Sequence, residues 1–226
     1  MKKNLKKCLL VLITCILFPV SVNAVKVKFG MNVDMLISNL TTTYTAPNLP
    51  SSDYPPQNFS CNPSLGMGVG VKIKIDLWKG LGIDAGVGYS FYGGDADWGG
   101  LISEGTPGRR YKDKIKFENF YVPVLVYYQF KIPVVSHIFV PSISTGPVIG
   151  FSAGPREIFG KTNTNTLVHW KFGIDLLFKE HIDVSIGYYL PVNNAFTFSA
   201  FTSESPNYVP VYNKVNYWSI GLGYIF

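Results

Sequence analysis

Three histidines, His137, His169 and His181, are the residues of this chain best suited to general acid–base chemistry. A histidine acts as a catalytic base when a serine or an aspartate lies beside it, for example as a His-x-Ser pair on a strand. His181 lies in a short predicted turn and His137 near another, where both face the wrong side for such chemistry, and His169 belongs to no such pair. We therefore predict no catalytic residue, and we interpret His169, which directly precedes Trp170, as part of an aromatic belt.

Ten lysines and aspartates recur at alternate positions of glycine-rich segments, and the chemistry that they offer is ion pairing. Alternation places such residues on one face of a strand. Charges of both signs, interleaved with glycine, fit the interior of a narrow barrel, where an unpaired charge is costly. The predicted interior charges are Lys26, Lys28, Asp34, Lys72, Lys74, Asp76, Asp84, Lys171, Asp175 and Asp183. We favour a packed, ion-paired plug over the alternative of a gated path for ions or solutes.

Eight segments must position these residues, and each is predicted to be a β-strand. Most of them alternate large apolar residues with small or polar ones, which is the two-residue period of a strand. Pro123, Pro141 and Pro147 predict a bulge or weakened pairing in the fourth and fifth segments. The segments are Val25–Leu40, Ser64–Leu77, Leu81–Tyr92, Phe117–Phe130, His137–Phe151, Thr166–Phe178, Ile182–Leu190 and Tyr217–Phe226.

The last segment indicates which face of the strands contacts lipid. Every second residue back from the end is large and apolar, and the residues between them are mostly small. Aromatic residues at both ends of an apolar face are typical of a transmembrane barrel strand. The predicted lipid face, which we also interpret as an assembly signal, consists of Trp218, Ile220, Leu222, Tyr224 and Phe226.

The connections between the segments alternate between short and long. The long ones span about residues 41–63, 93–116, 152–165 and 191–213. Outer-membrane barrels have an even number of strands, short periplasmic turns and long external loops. The sequence therefore predicts an all-β fold, an eight-stranded antiparallel up-and-down transmembrane β-barrel with both termini periplasmic and four extracellular loops. A soluble lipocalin-type barrel is the alternative fold, and it would need apolar residues inside and polar ones outside.

The first 24 residues have the features of a cleaved signal peptide. Four lysines precede an apolar run over residues 9–20, and small residues follow at the predicted cleavage site after Ala24. Residues 25–226 then form a single barrel domain. Without the four lysines, 16 of the 20 basic residues remain against 14 acidic ones, so the charge does not favour a nucleic-acid partner. Cys61 is the one cysteine left, which excludes an intrachain disulfide.

A basic cluster in the second long connection is a candidate surface site. It contains Arg109, Arg110, Lys112 and Lys114, which could contact the phosphates of lipopolysaccharide, although a solvated run of charge is the simpler interpretation. No spacing of ligand residues predicts a metal site, and we expect no cofactor.

Four segments resemble the small outer-membrane barrel family of Bacteroidetes often described as PorT-like. They are FGMNVDMLISNL near the start, YVPVLVYYQF and SISTGPVIGF in the middle, and GLGYIF at the end. The resemblance covers nearly all of the mature chain, and it implies a fold and a location rather than an activity. The family includes a component linked to type IX secretion and gliding, alongside many barrels with no assigned role.

These observations predict a non-enzymatic outer-membrane protein. We expect it to act in surface interaction, or in envelope or secretion-complex assembly, through its external loops or its periplasmic rim. The expected partners are outer-membrane lipid and lipopolysaccharide, the barrel-assembly machinery, and an extracellular ligand or a secretion-complex protein. A narrow channel is the first alternative. A lipid A-modifying enzyme that relies on His169 is the second.

Overall fold

The computed structural model describes residues 25–44, 57–60, 62–97, 112–133, 136, 138–152, 156–158, 161–163, 166–202 and 205–226. The predicted signal peptide, residues 1–24, lies outside this part of the chain. No helix long and apolar enough to cross a membrane occurs among the described residues. The strands are β1 (Lys26–Tyr44), β2 (Gln57–Ser60), β3 (Ser64–Trp78), β4 (Leu81–Asp97), β5 (Lys112–Gln129), β6 (Phe139–Ser152), β7 (Arg156–Ile158), β8 (Lys161–Asn163), β9 (Leu167–Phe178), β10 (Ile182–Pro191), β11 (Phe196–Thr202) and β12 (Ser205–Ile225).

Eight long strands form a closed antiparallel barrel. Around the ring they run β1, β3, β4, β5, β6, β9, β10 and β12, and β12 returns to pair with β1. This seam runs from the pair Gly30–Ile225 to the pair Tyr44–Val211. Closure is the one arrangement that leaves a sheet without a free edge. The all-β, eight-stranded antiparallel barrel predicted from the sequence is therefore confirmed.

Most of the barrel strands extend beyond their predicted ends on the side of the long connections. β4 continues to Asp97, β5 begins at Lys112, and β12 begins at Ser205 rather than at Tyr217. β2 pairs with the end of β1, β11 pairs with the start of β12, and β7 and β8 form a separate two-stranded sheet. The long connections thus contain strands that the sequence analysis assigned to loops.

Alternation along each strand gives the barrel an apolar outer face. Along β1, Met31, Val33 and Met35 are exposed, whereas Asn32 between the first two is partly buried and Asp34 between the last two is buried. A soluble barrel would place its large apolar side chains inside. The exposed apolar face is what contact with lipid requires, so this pattern excludes the lipocalin-type alternative.

The ladder is interrupted around Pro123, where weakened pairing was predicted. The β4–β5 pairs run to Ala85–Val124 and resume at Gly88–Tyr121 without a change of register. On the other side of β5, pairing stops at Pro123–Val148 and resumes at Val126–Thr145. Proline has no backbone N–H to donate, which explains a local loss of ladder bonds.

Candidate functional site

An ion-paired cluster crosses the lumen between β3 and β10. Lys72 and Lys74 both donate to the carboxylate of Asp183, and the Lys74 Nζ to Asp183 Oδ2 distance is 3.0 Å. Lys74 Nζ also lies 4.0 Å from Asp84 Oδ2. Strands β3 and β10 are not neighbours in the ring, so these bonds span the barrel. Lys74 is only 3% exposed and Asp183 only 1%, which makes their pairing a condition for a stable lumen.

The remaining predicted interior charges lie on either side of this cluster, nearer the short turns or nearer the long connections. Lys28 Nζ is 3.6 Å from Asp76 Oδ2, and the Tyr127 hydroxyl donates to Asp76. Asp34 accepts a hydrogen bond from the Asn32 amide. The Lys171 ammonium lies 5.4 Å from the centroid of the Tyr189 ring.

Four of these charges differ from the simple picture of a paired, buried set. Lys26 lies on the inner side of β1 but is exposed, because it is the first residue of that strand at the barrel end. Asp34, Lys171 and Asp175 form no ion pair within 4.0 Å among the described residues, although Asp34 and Asp175 are buried.

An apolar cluster, which the sequence analysis missed, fills the half of the lumen nearest the long connections. Tyr189 and Tyr217 stack with ring centroids 4.1 Å apart, and Tyr92 lies 5.0 Å from Tyr217. Leu40 and Phe117 are completely buried. The available signal was that inner positions beyond the last charge become apolar on β1, β9 and β10, at Leu36, Leu167 and Tyr189. The outer plug consists of Leu36, Leu40, Tyr92, Phe117, Leu125, Val148, Leu167, Tyr189, Ala195, Val215 and Tyr217.

His169 packs against this outer plug and not in an aromatic belt. It is 3% exposed, its Nε2 lies 2.9 Å from the Val215 carbonyl oxygen, and its ring meets Tyr217 edge-on at 5.1 Å. The sequence-based placement beside Trp170 on the lipid face was wrong. His169 shares the parity of Lys171 along β9, and that parity places it inside.

Of the other two histidines, His181 is among the described residues and His137 is not. His181 Nδ1 lies 2.9 Å from the Ile225 carbonyl oxygen, and the ring stacks on Tyr224 at the end of the seam. Within the part of the chain that the structure describes, no three His, Cys, Asp or Glu residues are close enough to hold a metal ion.

The short-turn end of the lumen opens into a shallow cavity, which we call the inner mouth. Its volume is about 270 Å³, and lysines provide most of its polar lining. The lining residues are Lys26, Lys28, Asp76, Leu77, Trp78, Lys79, Gly80, Gln129, Lys131, Val140, Leu177 and Glu180. This polar concavity therefore has an excess of positive charge.

The outer face carries a larger concavity of about 550 Å³ across β5, β6, β9 and β10. Val126, Ile143, Phe172 and Ile174 line it, and each of them is exposed on the apolar outer face. It contains no charged group, so we assign it to packing against membrane lipid.

The other predicted surface residues fall as follows. The side chains of the last strand that were predicted to face lipid are all exposed, and Trp218 pairs with Tyr188 at a centroid distance of 4.7 Å. Of the basic cluster, Arg109 and Arg110 lie outside the described residues. Lys112 and Lys114 occupy β5 opposite Asp97 and Asp95 of β4, and their side chains are not among those described.

The family comparison identifies a barrel domain. A family model described as "Outer membrane protein beta-barrel domain" matches residues 23–197. A search of curated proteins found no match.

The chain is also similar to solved outer-membrane barrels at low sequence identity. The outer membrane protein OprG from Pseudomonas aeruginosa aligns at 11% identity and a TM-score of 0.52, covering 90% of this chain and 98% of that one. Neisserial surface protein A aligns at 9% identity and a TM-score of 0.42, covering 88% and 97%. The outer membrane protease OmpT from Escherichia coli aligns at 9% identity and a TM-score of 0.39, covering 88% and 97%. The likeness to OprG supports the fold alone.

Proposed function

Since the chain belongs to the outer membrane protein beta-barrel domain family, we propose that it is a non-enzymatic protein of the bacterial outer membrane that acts through its two ends. Its long loops face the exterior, its short turns face the periplasm, and each end binds other macromolecules of the envelope. The observation that carries this proposal is the filled lumen, because a barrel without a path through it offers only its ends and its lipid face for function.

The packing of the lumen argues against the channel alternative. The outer plug closes one half with apolar side chains, among which Leu40 and Phe117 are fully buried. In the other half, Lys72, Lys74 and Asp183 are tied to one another across the barrel. An ion would have to break these bonds and then pass the apolar side chains of the outer plug, and both steps are costly.

The position of His169 argues against a lipid A-modifying enzyme. A general base must reach the proton that it abstracts from a nucleophile at the membrane rim. His169 is enclosed by the outer plug and hydrogen-bonded to the Val215 carbonyl oxygen, which keeps it from the lipid face.

Surface interaction and assembly of an envelope or secretion complex both remain within this proposal. The PorT-like resemblance of the sequence favours the second, since that family includes a secretion-linked component. The basic cluster from Arg109 to Lys114 is then a contact for lipopolysaccharide phosphates, and the barrel-assembly machinery inserts the chain.

Conductance of the full mature chain in planar bilayers tests the filled lumen directly. We expect refolded protein that migrates as a heat-modifiable barrel to give no stable conductance. Reproducible single-channel steps from such a preparation would replace our proposal with the channel alternative.

Replacement of residues 45–56 or 98–111 by a short Gly-Ser linker tests the role of the external end. We expect each variant to keep its heat-dependent shift in gel mobility but to lose a partner when solubilised outer membranes are separated on native gels. The wild-type chain and both variants migrating as identical isolated barrels would contradict an interaction role for these loops.

A further inference from the structure

We propose that the inner mouth binds a carboxylate-rich segment of a periplasmic polypeptide, an inference that rests on the proposed function and its orientation. The cavity lies inside the barrel wall at the short-turn end, and it is lined by Lys26, Lys28, Lys79 and Lys131 against Asp76 and Glu180. Four positive charges against two negative ones give the lining a net charge of +2. An excess of one charge sign around a concave site attracts ligands of the opposite charge.

The acidic residues of the lining do not neutralise this excess. Lys28 is paired with Asp76 at 3.6 Å, and this is the one ion pair within 4.0 Å that the described lining residues form. The Lys79 ammonium lies 4.6 Å from the centroid of the Trp78 ring. Lys26, Lys79 and Lys131 are all exposed, so their ammonium groups are available to donate to a ligand. Ammonium–carboxylate hydrogen bonds are among the stronger ones that a protein surface can make.

The rim and floor of the inner mouth favour a polypeptide over a bare anion. Trp78 is 67% exposed at the rim, and Leu77 is also exposed, so apolar side chains of a peptide would have a surface to cover. Leu177 lies in the lining and is buried, which limits how deep a ligand can enter. A volume of 270 Å³ holds about nine water molecules, enough for acidic side chains but not for a folded element.

The location of the cavity favours a soluble occupant over membrane lipid. Phospholipid headgroups surround the outer wall of a barrel, whereas inward-facing residues such as Lys28 and Gln129 line the interior of the inner mouth, and the exposed Leu77 and Trp78 lie at its rim. Soluble molecules on the short-turn side can reach it directly. An extended acidic segment of a protein matches the charge of the lining and the apolar rim together.

Binding of defined peptides to the full mature chain in nanodiscs tests the inference. The probe is a rhodamine-labelled peptide of alternating Glu and Gly, and the control probe has Gln in place of Glu. The site variant is Lys26→Gln with Lys131→Gln. The matched control is Lys116→Gln with Lys214→Gln, which removes the same charge from two exposed lysines on other parts of the barrel.

We expect the Glu peptide to bind the wild-type chain and the control variant equally, and to bind the site variant about tenfold more weakly, from two partly exposed ion pairs. The Gln peptide should not bind. Equal weakening by both variant pairs, or equal binding of both peptides, would overturn the inference. Tighter binding of a cell-wall muropeptide than of the Glu peptide would overturn a polypeptide as the occupant.

The outcome is separable from that of the proposed function. A barrel that does not conduct and does not bind the Glu peptide would overturn only the inference about the inner mouth. A conducting barrel would overturn the proposed function whichever peptide it binds. Lys79→Gln provides a second site variant, and the heat-dependent mobility shift verifies that each variant is folded.

Discussion

Asp183 compensates the positive charge of two lysines in the lumen, because both of them donate to its carboxylate. Lys72 and Lys74 come from the far side of the barrel, and one oxygen of Asp183 accepts from both of them. Removing one partner of a buried ion pair leaves an uncompensated charge, which is far costlier than losing an exposed pair. The network is therefore asymmetric: it depends more on Asp183 than on any single lysine.

Asp183→Asn tests this dependence. The substitution keeps the shape of the side chain but leaves Lys72 and Lys74 without their shared carboxylate, so we expect a loss of about 3–5 kcal/mol in the free energy of unfolding. Urea unfolding in lipid vesicles, followed by tryptophan fluorescence, measures it. Glu180→Gln in the neighbouring exposed turn is the control, and it should change stability by no more than about 0.5 kcal/mol. Similar losses in the two variants would contradict a central role for Asp183.

At the residue scale, sequence parity gives the face of a side chain but not its partner. The same alternation that sets Lys171 inside β9 also sets His169 inside, and the belt interpretation overlooked it. The bonds from Lys72 and Lys74 to Asp183 could not be derived in this way. They join strands that are three positions apart in the ring, and such contacts depend on the tilt and stagger of the closed barrel.

At the scale of the strands, glycine on one strand makes room for a ring on the next. Gly88 of β4 lies opposite Tyr121 of β5, and a Cβ atom at Gly88 would overlap the tyrosine ring. Gly70 of β3 also faces this ring, with its Cβ position 2.8 Å from the Tyr121 hydroxyl oxygen. The glycines of β3 and β4 thus allow a large side chain to lie across two strands.

Gly88→Ala should therefore destabilise the barrel. Overpacking a filled interior costs about 1–3 kcal/mol, and we expect a loss of that size in urea unfolding. Gly150→Ala is the matched control, because its Cβ would lie 3.5 Å from the Leu167 Cβ, an ordinary contact. Adding Tyr121→Phe should not rescue Gly88→Ala, whereas Tyr121→Ala should recover part of the loss. Equal stability of the two alanine variants would contradict the close approach of the ring.

The strand ends at the short turns follow from the sequence, whereas those at the long connections do not. β4 and β10 begin, and β9 ends, at the residues predicted, because turn residues interrupt a clear alternation there. The start of β3 at Ser64 is the one predicted strand end beside a long connection that the structure reproduces among the described residues. β12 begins twelve residues before its predicted start and contains Pro206 and Pro210. Prolines normally argue against a strand interior. Pairing with β11 and with the end of β1 provides a tertiary context that single-sequence patterns do not contain.

At the scale of the whole molecule, the lumen is divided between two kinds of filling. The outer plug closes the end with long connections, and the ion-paired cluster and the inner mouth occupy the end with short turns. The apolar outer plug at one end and the charged inner mouth at the other make the two ends of the barrel chemically different. Its two proposed binding roles therefore depend on which end faces the periplasm.

Cysteine labelling determines that orientation. In a Cys61→Ser background, we would introduce Lys79→Cys in the short turn between β3 and β4, or Thr166→Cys beside the long connection before β9, since both positions are exposed. With the loops outside, a membrane-impermeant maleimide should label Thr166→Cys in intact cells, and Lys79→Cys only after the outer membrane is permeabilised. The reverse pattern would place the inner mouth at the cell surface, so its ligand would have to be sought outside the cell. Labelling of both positions only after permeabilisation would contradict surface exposure of the long connections.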